Sequence, residues 1–417
     1  MTWHIFKMIE RHLTPLVAEA LEDTPVVLLL GSRQVGKSTL AKALLGSRAE
    51  GRYTTLDDPA VQRAAEMDPG GFVSQAKGLT VLDEIQLAPH LFRAIKLDVD
   101  RDRRPGRFLL TGSANVMVLP KLSESLAGRM ELVTLEGLSQ GEILGHSGNL
   151  VDRLFDADAP ESQHLESDRG ALIAAILAGG FPEARERAPG RRRSQWFDSY
   201  IQTLLQRDVR DLSQIEGIAQ LPRILELLSV RSSGLLNLAE LSRTLGIPLN
   251  TLKRYLNLLE ALYILTTLPA WSSHLGKRLV KAPKLMLRDT GLMAHLLGAE
   301  QGRLQHDPEL LGGLLETFVA GEVRKLLGWA RNRVKLFHYR TLPGREVDLL
   351  MERADGLVVG LEVKASASIQ PGDFRGLRDL AETLGPAFHL GVVLYTGSET
   401  LPFGPKMWAM PVSALWQ

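Results

Sequence analysis

The chain has 417 residues, of which 45% are hydrophobic and 23% charged, and carries a formal net charge of +1. That length exceeds one ordinary core and predicts several globular domains. The sequence contains no cysteine, which excludes disulfides, thiolate zinc sites and cysteine nucleophiles, and the balanced charge means that any nucleic-acid surface must concentrate its basic residues locally. No apolar run approaches the roughly 18 residues that span a bilayer. The segment Met1-Thr2-Trp3-His4-Ile5-Phe6-Lys7 lacks a signal-peptide apolar core. The expectation is a cytoplasmic protein with no membrane contact.

Residues 1 to about 23 read as an amphipathic helix, with Ile9, Leu13, Leu16, Val17 and Leu21 near helical spacing. Val26 to Leu30 is an apolar β-type run. It leads into Gly31, Ser32, Arg33, Gln34, Val35, Gly36, Lys37, Ser38 and Thr39, and a helix-forming run follows to Leu45. This is the G-x-x-x-x-G-K-S P-loop pattern in its strand–loop–helix context. Gly31 and Gly36 let the backbone wrap phosphates with inward N–H groups. Lys37 is expected at the β- and γ-phosphates of ATP, and the Ser38 hydroxyl on Mg²⁺. The helix N-terminus adds partial positive charge beneath the anion.

Tyr53 to Pro59 reads as a second strand ending in a turn. Leu79 to Leu82 is consistent with a buried parallel strand and ends in Asp83-Glu84, the acidic pair of a Walker B motif. Asp83 is the candidate for the Mg²⁺ water shell, and Glu84 for polarising the attacking water. Arg107 to Leu110 is a further strand. Thr111 to Asn115 follows at the sheet edge where ligands bind in open α/β sheets, so Ser113 or Asn115 could sense the γ-phosphate. Arg129 is a candidate arginine finger acting on a neighbouring subunit's phosphoryl group. The alternative for Arg129 is an ordinary surface ion pair.

The P-loop, Leu82-Asp83-Glu84-Ile85-Gln86, Leu110-Thr111-Gly112-Ser113-Ala114-Asn115, Leu126-Ala127-Gly128-Arg129 and Leu138-Ser139-x-x-Glu142 together resemble the AAA-superfamily ATPases of bacteria and archaea with a DUF4143-type C-terminal region. The resemblance implies an ATPase core, a helical lid and assembly into a homo-oligomeric ring such as a hexamer.

Residues 146 to 170 are polar and irregular and read as a linker. Ala171 to Ala178 predicts a helix, broken by Gly179-Gly180-Phe181-Pro182-Glu183. Arg185, Arg187, Arg191, Arg192 and Arg193 then form a dense basic cluster before Trp196 and Tyr200. One reading is a nucleic-acid backbone contact with aromatic support. The other is a solvated helix start beside Glu183 and Glu186. A helix is expected over Trp196 to Leu212. Within it Leu204-Leu205-Gln206-Arg207-Asp208 resembles the family's lid signature, which makes Arg207 a second candidate phosphate sensor.

Leu238 to Leu245, the turn Gly246-Ile247-Pro248, and Asn250 to Leu262 form a helix-turn-helix pattern. Tyr263 to Pro269 and Leu285 to Leu287 could supply the strands of a wing. The solvent face of the second helix offers Asn250, Lys253, Arg254 and Asn257 for groove or phosphate contacts. Winged helices also bind proteins, so the pattern alone leaves both partners open.

Leu310 to Leu327 reads as a helix carrying Glu316 and Glu322. Strands are expected over Val334 to Arg340, Glu346 to Leu350 and Leu357 to Lys364. Alternation puts Glu362 and Lys364 on one face, and Asp348 can join them. The ordered set Glu316, Asp348, Glu362 and Lys364 resembles the PD-(D/E)xK nuclease fold. In that family the acids bind one or two divalent metals, Mg²⁺ or Mn²⁺, and the lysine assists the attacking water. Glu316 matches the helix-borne glutamate of the branch that includes Holliday-junction resolvases. Many domains of this fold keep the scaffold without the activity. Phe374 to Leu384 predicts a helix, and His389 to Tyr395 and Met407 to Val412 the last strands.

The expected architecture is α/β: a P-loop AAA-type parallel-sheet core over 1–145, a linker and helical lid over 146–215, a winged helix over 216–299 and a restriction-endonuclease-like α/β domain over 300–417. Two functions fit it. One is an ATP-hydrolysing protein acting on DNA by remodelling, translocation or branched-DNA processing. The other is a nucleotide-dependent switch whose distal domains bind protein partners without cleaving DNA.

Overall fold

The computed structural model describes residues 9–113, 126–156, 160, 164–204, 220–273, 276, 278, 281–341 and 344–417. They form two compact units, Met1–Leu138 with Leu259–Tyr263, and Ser139–Leu258 with Ile264–Gln417.

The first unit is built on a parallel sheet of β1 (Val26–Leu30), β2 (Gly51–Thr55), β3 (Leu79–Asp83), β4 (Phe108–Gly112) and β5 (Met130–Thr134), in the order β2-β3-β4-β1-β5. The inner strands β1, β3 and β4 are buried at every position, which is why they read as unbroken apolar runs. Register sets Leu30 opposite Gly112 and Leu82 opposite Leu110. The strand ends therefore lie side by side along one edge. The helices Lys37–Gly46 and Leu91–Arg101 follow β1 and β3 and supply crossovers of the kind that parallel strands need. Phe92, Ile95, Phe108, Leu110 and Leu28 share one core with Tyr263, supplied from far along the chain. Each such fully buried side chain contributes about 1.5–3 kcal/mol through loss of apolar contact with water.

In the second unit the segment expected to be a linker contains a helix, Leu150–Asp156, with Leu150, Val151, Asp152, Leu154 and Phe155 buried. The sequence misleads because Asp152 is an interior acid. Its carboxylate accepts hydrogen bonds from the backbone N–H of Arg331 at 3.1 Å and of Asn332 at 3.0 Å, which offsets the cost of its burial. Helices Leu221–Val230, Leu238–Leu245 and Leu249–Ala261 are followed by the antiparallel ribbon of β6 (Leu265–Leu268) and β7 (Lys284–Leu287). An isolated bridge from Leu235 to Lys284 adds a third strand position. Asn237 caps the middle helix by accepting from the Glu240 N–H, and Gly246 ends it at a φ of 68°, a combination of start and stop signals that is readable in sequence.

The helix Pro308–Leu327 precedes a mixed sheet of β8 (Val334–Arg340), β9 (Glu346–Arg353), β10 (Val358–Lys364), β11 (Phe388–Tyr395), β12 (Leu401–Pro402) and β13 (Met407–Pro411). The order is β12-β13-β11-β10-β9-β8. The helix Arg375–Leu384 spans the crossover between the parallel neighbours β10 and β11. It buries Leu377 and Leu380 against Phe374, Phe388 and Val393. Among the described residues no helix is long and apolar enough to cross a membrane.

Candidate nucleotide-binding site

The loop after β1 turns through Gly31 at a φ of 150°, Gln34 at 64° and Gly36 at 99°. A side chain at position 31 would place its Cβ 2.2 Å from the Leu135 carbonyl oxygen, so the close approach of the two backbones requires glycine. Gly36 is the residue before the first turn of the helix Lys37–Gly46 and is left-handed, the conformation that anion-binding nests of backbone amides use. The Lys37 ammonium is buried and donates to the carbonyls of Gly31 at 3.0 Å and Ser32 at 2.7 Å. The loop therefore carries its own cation folded inside it.

Asp83 closes β3 beneath this loop. Its Oδ1 accepts the Ser38 hydroxyl at 2.9 Å and also the Thr111 hydroxyl. Its Oδ2 accepts the Tyr53 hydroxyl at 2.5 Å. Burial, together with the hydrogen bond to and charge of Asp83, pushes the Tyr53 phenol well above its ordinary pKa, so Tyr53 remains a donor. Ser38 and Asp83 thus present a hydroxyl and a carboxylate side by side. That hard-oxygen pair fits Mg²⁺.

Glu84 adopts a φ of 59°, a left-handed conformation that is uncommon for a residue with a side chain. Its N–H donates to Thr111 Oγ1 at 3.2 Å. Its Oε2 accepts from the Gln86 amide, which also donates to Ser113 Oγ at 3.0 Å. Gln86 therefore ties the two expected residues Glu84 and Ser113 together. Of the other sensor candidates, Asn115 and Arg207 lie outside the described residues.

Sequence reasoning missed three contributors, Tyr53, Gln86 and Arg11, and placed Ser32 in the loop without its distant partner. Arg11 donates to the Val35 carbonyl at 2.8 Å and the Glu136 carbonyl at 2.7 Å, pinning the loop from the N-terminal side. Ser32 Oγ donates to the Tyr263 carbonyl at 2.8 Å. Only Gln86, two residues after the catalytic candidate, carried a local signal. The others act across long sequence separations that no motif encodes.

Arg129 pairs with Asp100 at 2.5 Å and donates to the Ala127 carbonyl, so within one chain its guanidinium forms a surface ion pair. On the helix Leu249–Ala261, Asn250, Lys253, Arg254 and Asn257 are exposed together, while Leu252, Tyr255 and Leu256 are buried. Arg191 and Arg192 are exposed at the start of the helix Arg191–Thr203. Arg193 instead donates to the carbonyls of Ala184 at 3.0 Å and Arg187 at 3.3 Å. The aromatic support that one of the two readings gave this cluster is overturned. Trp196 and Tyr200 are buried and stack on each other at 5.2 Å between centroids, beside Phe181, so their faces are not offered to bases.

Of the acids expected at a second metal centre, Glu316 and Asp348 meet around a lysine together with Glu346, which was not among them, while Glu362 pairs with Lys364. Lys284 Nζ lies 2.7 Å from Glu316 Oε1, 2.6 Å from Glu346 Oε1 and 3.4 Å from Asp348 Oδ1. Lys364 Nζ donates to Glu362 Oε1 at 2.8 Å, which places that pair on one face of β10 as expected. The Val363 N–H donates to Asp348 Oδ2 at 2.9 Å. Burial and the neighbouring Asp348 charge push Glu316 up to about 8 and Glu362 to about 7. Among the described residues no group of three or more His, Asp or Glu side chains is disposed to hold a metal ion. The second Mg²⁺ or Mn²⁺ expected at Glu316, Asp348 and Glu362 therefore does not fit this arrangement, because an ammonium already satisfies the carboxylates.

Residues 23–144 match a family model described as an AAA domain. Residues 169–303 match a domain of unknown function, DUF8612, and residues 311–415 match DUF4143. The uncharacterized proteins Mb2031c of Mycobacterium bovis and Rv2008c of Mycobacterium tuberculosis are each 33% identical over 397 residues, covering 95% of this chain and 82% of theirs. A solved structure, the Walker-type ATPase PABY2304 of Pyrococcus abyssi, is 16% identical with a TM-score of 0.45, over 69% of this chain and 96% of that one.

Proposed function

The chain belongs to the family that contains the mycobacterial proteins Mb2031c and Rv2008c, and we propose that it is an ATP-hydrolysing AAA-type protein that acts on DNA. The observation that carries the ATPase reading is the 2.9 Å contact of Ser38 with Asp83 beneath the Lys37 loop, with Glu84 next in sequence. The loop amides and the helix N-terminus bind the phosphates. Lys37 exchanges its loop carbonyls for phosphate oxygens. Ser38 and Asp83 would hold Mg²⁺, and the metal would supply positive charge beside the transferred phosphoryl group. Glu84, oriented by Gln86, accepts the proton of the attacking water, and Ser113 reports the γ-phosphate through the same amide. In an oligomer Arg129 leaves Asp100 and serves the neighbouring subunit.

DNA enters the reading through the helix Leu249–Ala261. Its exposed Asn250, Lys253 and Arg254 stand at one-face spacing on the second helix of a helix-turn-helix, with a ribbon behind, and this supports a winged helix. Arg191 and Arg192 extend the basic surface. The lysine inside the acid cluster favours a C-terminal domain that binds rather than cleaves, and so gives some weight to the switch with protein partners. The test is ATP turnover measured with single-stranded, duplex and branched DNA. Stimulation that is lost in Lys253→Glu/Arg254→Glu is expected. Turnover indifferent to every DNA would remove DNA as the substrate and leave the switch.

A further inference from the structure

The acids Glu316, Glu346 and Asp348 come from the helix Pro308–Leu327 and from β9, yet the residue at their centre comes from β7. Lys284 is 2% exposed. Its backbone is fixed on both sides. It pairs with Leu268 across the ribbon and bridges Leu235, while the Leu236 N–H bonds the Pro283 carbonyl and the Leu285 N–H the Gly234 carbonyl. This is not a surface lysine that has swung into a cleft. An ammonium has three N–H donors, and three carboxylates lie within 3.4 Å of it.

We propose that Lys284 is the resident cation of the Glu316–Glu346–Asp348 cluster, so that these acids form an internal latch between the β6–β7 ribbon and the C-terminal sheet and not a divalent-metal centre. Both oxygens of Asp348 are engaged, Oδ1 by Lys284 and Oδ2 by the Val363 N–H. Glu346 also faces Arg340 at 3.8 Å through its second oxygen. Glu362 is engaged by Lys364, and its Oε2 is the one carboxylate oxygen of the group that is buried without a hydrogen-bond partner. Glu316 Oε1, Glu346 Oε1, both Asp348 oxygens and Glu362 Oε1 are thus already turned toward N–H donors, and an ammonium stands where Mg²⁺ or Mn²⁺ would need several oxygens to itself. Burial by itself would lower the pKa of an ammonium, yet the carboxylates reverse the sign and hold Lys284 above its ordinary value. Removing one partner of such a buried group exposes the full cost of the others. The ion pairs therefore act as a fastening that the ribbon cannot lose without penalty.

The experiment is Mn²⁺ binding to the full chain without nucleotide, read by loss of the free-ion paramagnetic resonance signal, alongside thermal melting. Wild type and Asp348→Asn are expected to bind the same amount of Mn²⁺, because the cluster takes none. Lys284→Met is expected to melt at lower temperature and to take up one additional Mn²⁺ per chain that partly restores the melting point. Wild-type Mn²⁺ uptake that disappears in Asp348→Asn would overturn the proposal. So would a Lys284→Met protein that melts like wild type. If Lys284→Met does not fold, the comparison of wild type with Asp348→Asn still decides whether the cluster is a metal site, and Lys284→Arg, which keeps the charge, is expected to melt closer to wild type.

Discussion

Ser32, inside the phosphate-binding loop, donates its hydroxyl hydrogen to the carbonyl oxygen of Tyr263, 231 residues further along the chain, at 2.8 Å. Tyr263 has a φ of 58° and lies two residues beyond the end of the helix Leu249–Ala261, which carries Lys253 and Arg254. The nucleotide loop and the end of that helix are thus joined by one bond. Ser32→Ala removes it and leaves a buried carbonyl without that donor, a loss of about 1 kcal/mol. The expected result is weaker ATP binding by several-fold and a smaller DNA-stimulated increment in turnover, measured by nucleotide titration and steady-state ATPase. Unchanged values for both would show that the bond does not connect the two elements.

Glu84→Gln is expected to retain ATP binding and lose hydrolysis by about 10²–10⁴-fold, the range for removing a general base. Gln86→Ala should leave the base chemically intact and misplace it, costing about tenfold, as one lost hydrogen bond would. Single-turnover assays with saturating ATP separate the two. A Gln86→Ala rate equal to wild type would mean that Glu84 needs no orienting amide.

His338 supplies an acid-side prediction. Burial, aided by the charges of Lys284 and Lys281, pushes its pKa down from 6.5 to about 4, while the Ala282 carbonyl and Glu346 act in the opposite sense. The unfolded chain therefore takes up the proton first. Stability from this group is fully present above pH 6.5, falls as the pH drops toward 4, and changes no further below that. The shift corresponds to at most about 3 kcal/mol. His338→Gln should flatten the slope of unfolding free energy between pH 6 and 4, measured by urea denaturation across about that range. An unaltered slope would assign the acid sensitivity elsewhere.

Asp152→Ala should be among the most destabilising single changes in the second unit. The carboxylate is buried and accepts from Arg331 N at 3.1 Å, Asn332 N at 3.0 Å and Asn332 Nδ2 at 3.0 Å. Burial raises its pKa, but these donors more than offset that and hold it below the ordinary value. Losing the acceptor leaves interior N–H groups unpaired, at a cost of roughly 2–4 kcal/mol. A melting temperature within a degree or so of wild type would contradict this, since even 1 kcal/mol moves larger domains by about 2–4 °C.

How much of this was readable beforehand depended on the range of each signal. β1, β3 and β4 were legible because buried parallel strands leave continuous apolar runs, and the loop at 31–39 because phosphate binding fixes glycine spacing. Glu84 and Ser113 were singled out from motif position alone, and the amide of Gln86 that contacts both was not. Arg11, Ser32 and Tyr53 were not assigned their contacts, because their partners are set by tertiary packing and not by neighbours in sequence. The helix at 150–156 was hidden in a stretch whose overall polarity reads as a linker, because the donors that satisfy Asp152 come from residues near 332. The acid cluster was legible as a collection of carboxylates. Its meaning was not, because Lys284 lies on a separate strand and has no spacing relationship to any of them.

Tyr263 has a consequence for the order in which the protein comes into being. A ribosome that has released only the first 140 or so residues has supplied every strand of the first sheet and the whole P-loop. The core of that sheet nevertheless includes the Tyr263 ring, and the loop leans on the Tyr263 carbonyl. Domains commonly fold as units during synthesis, the N-terminal one first. Here the core of the first unit is incomplete until a segment more than a hundred residues downstream has been made. The last bond to the phosphate loop is thus supplied by a residue made after the whole helix-turn-helix.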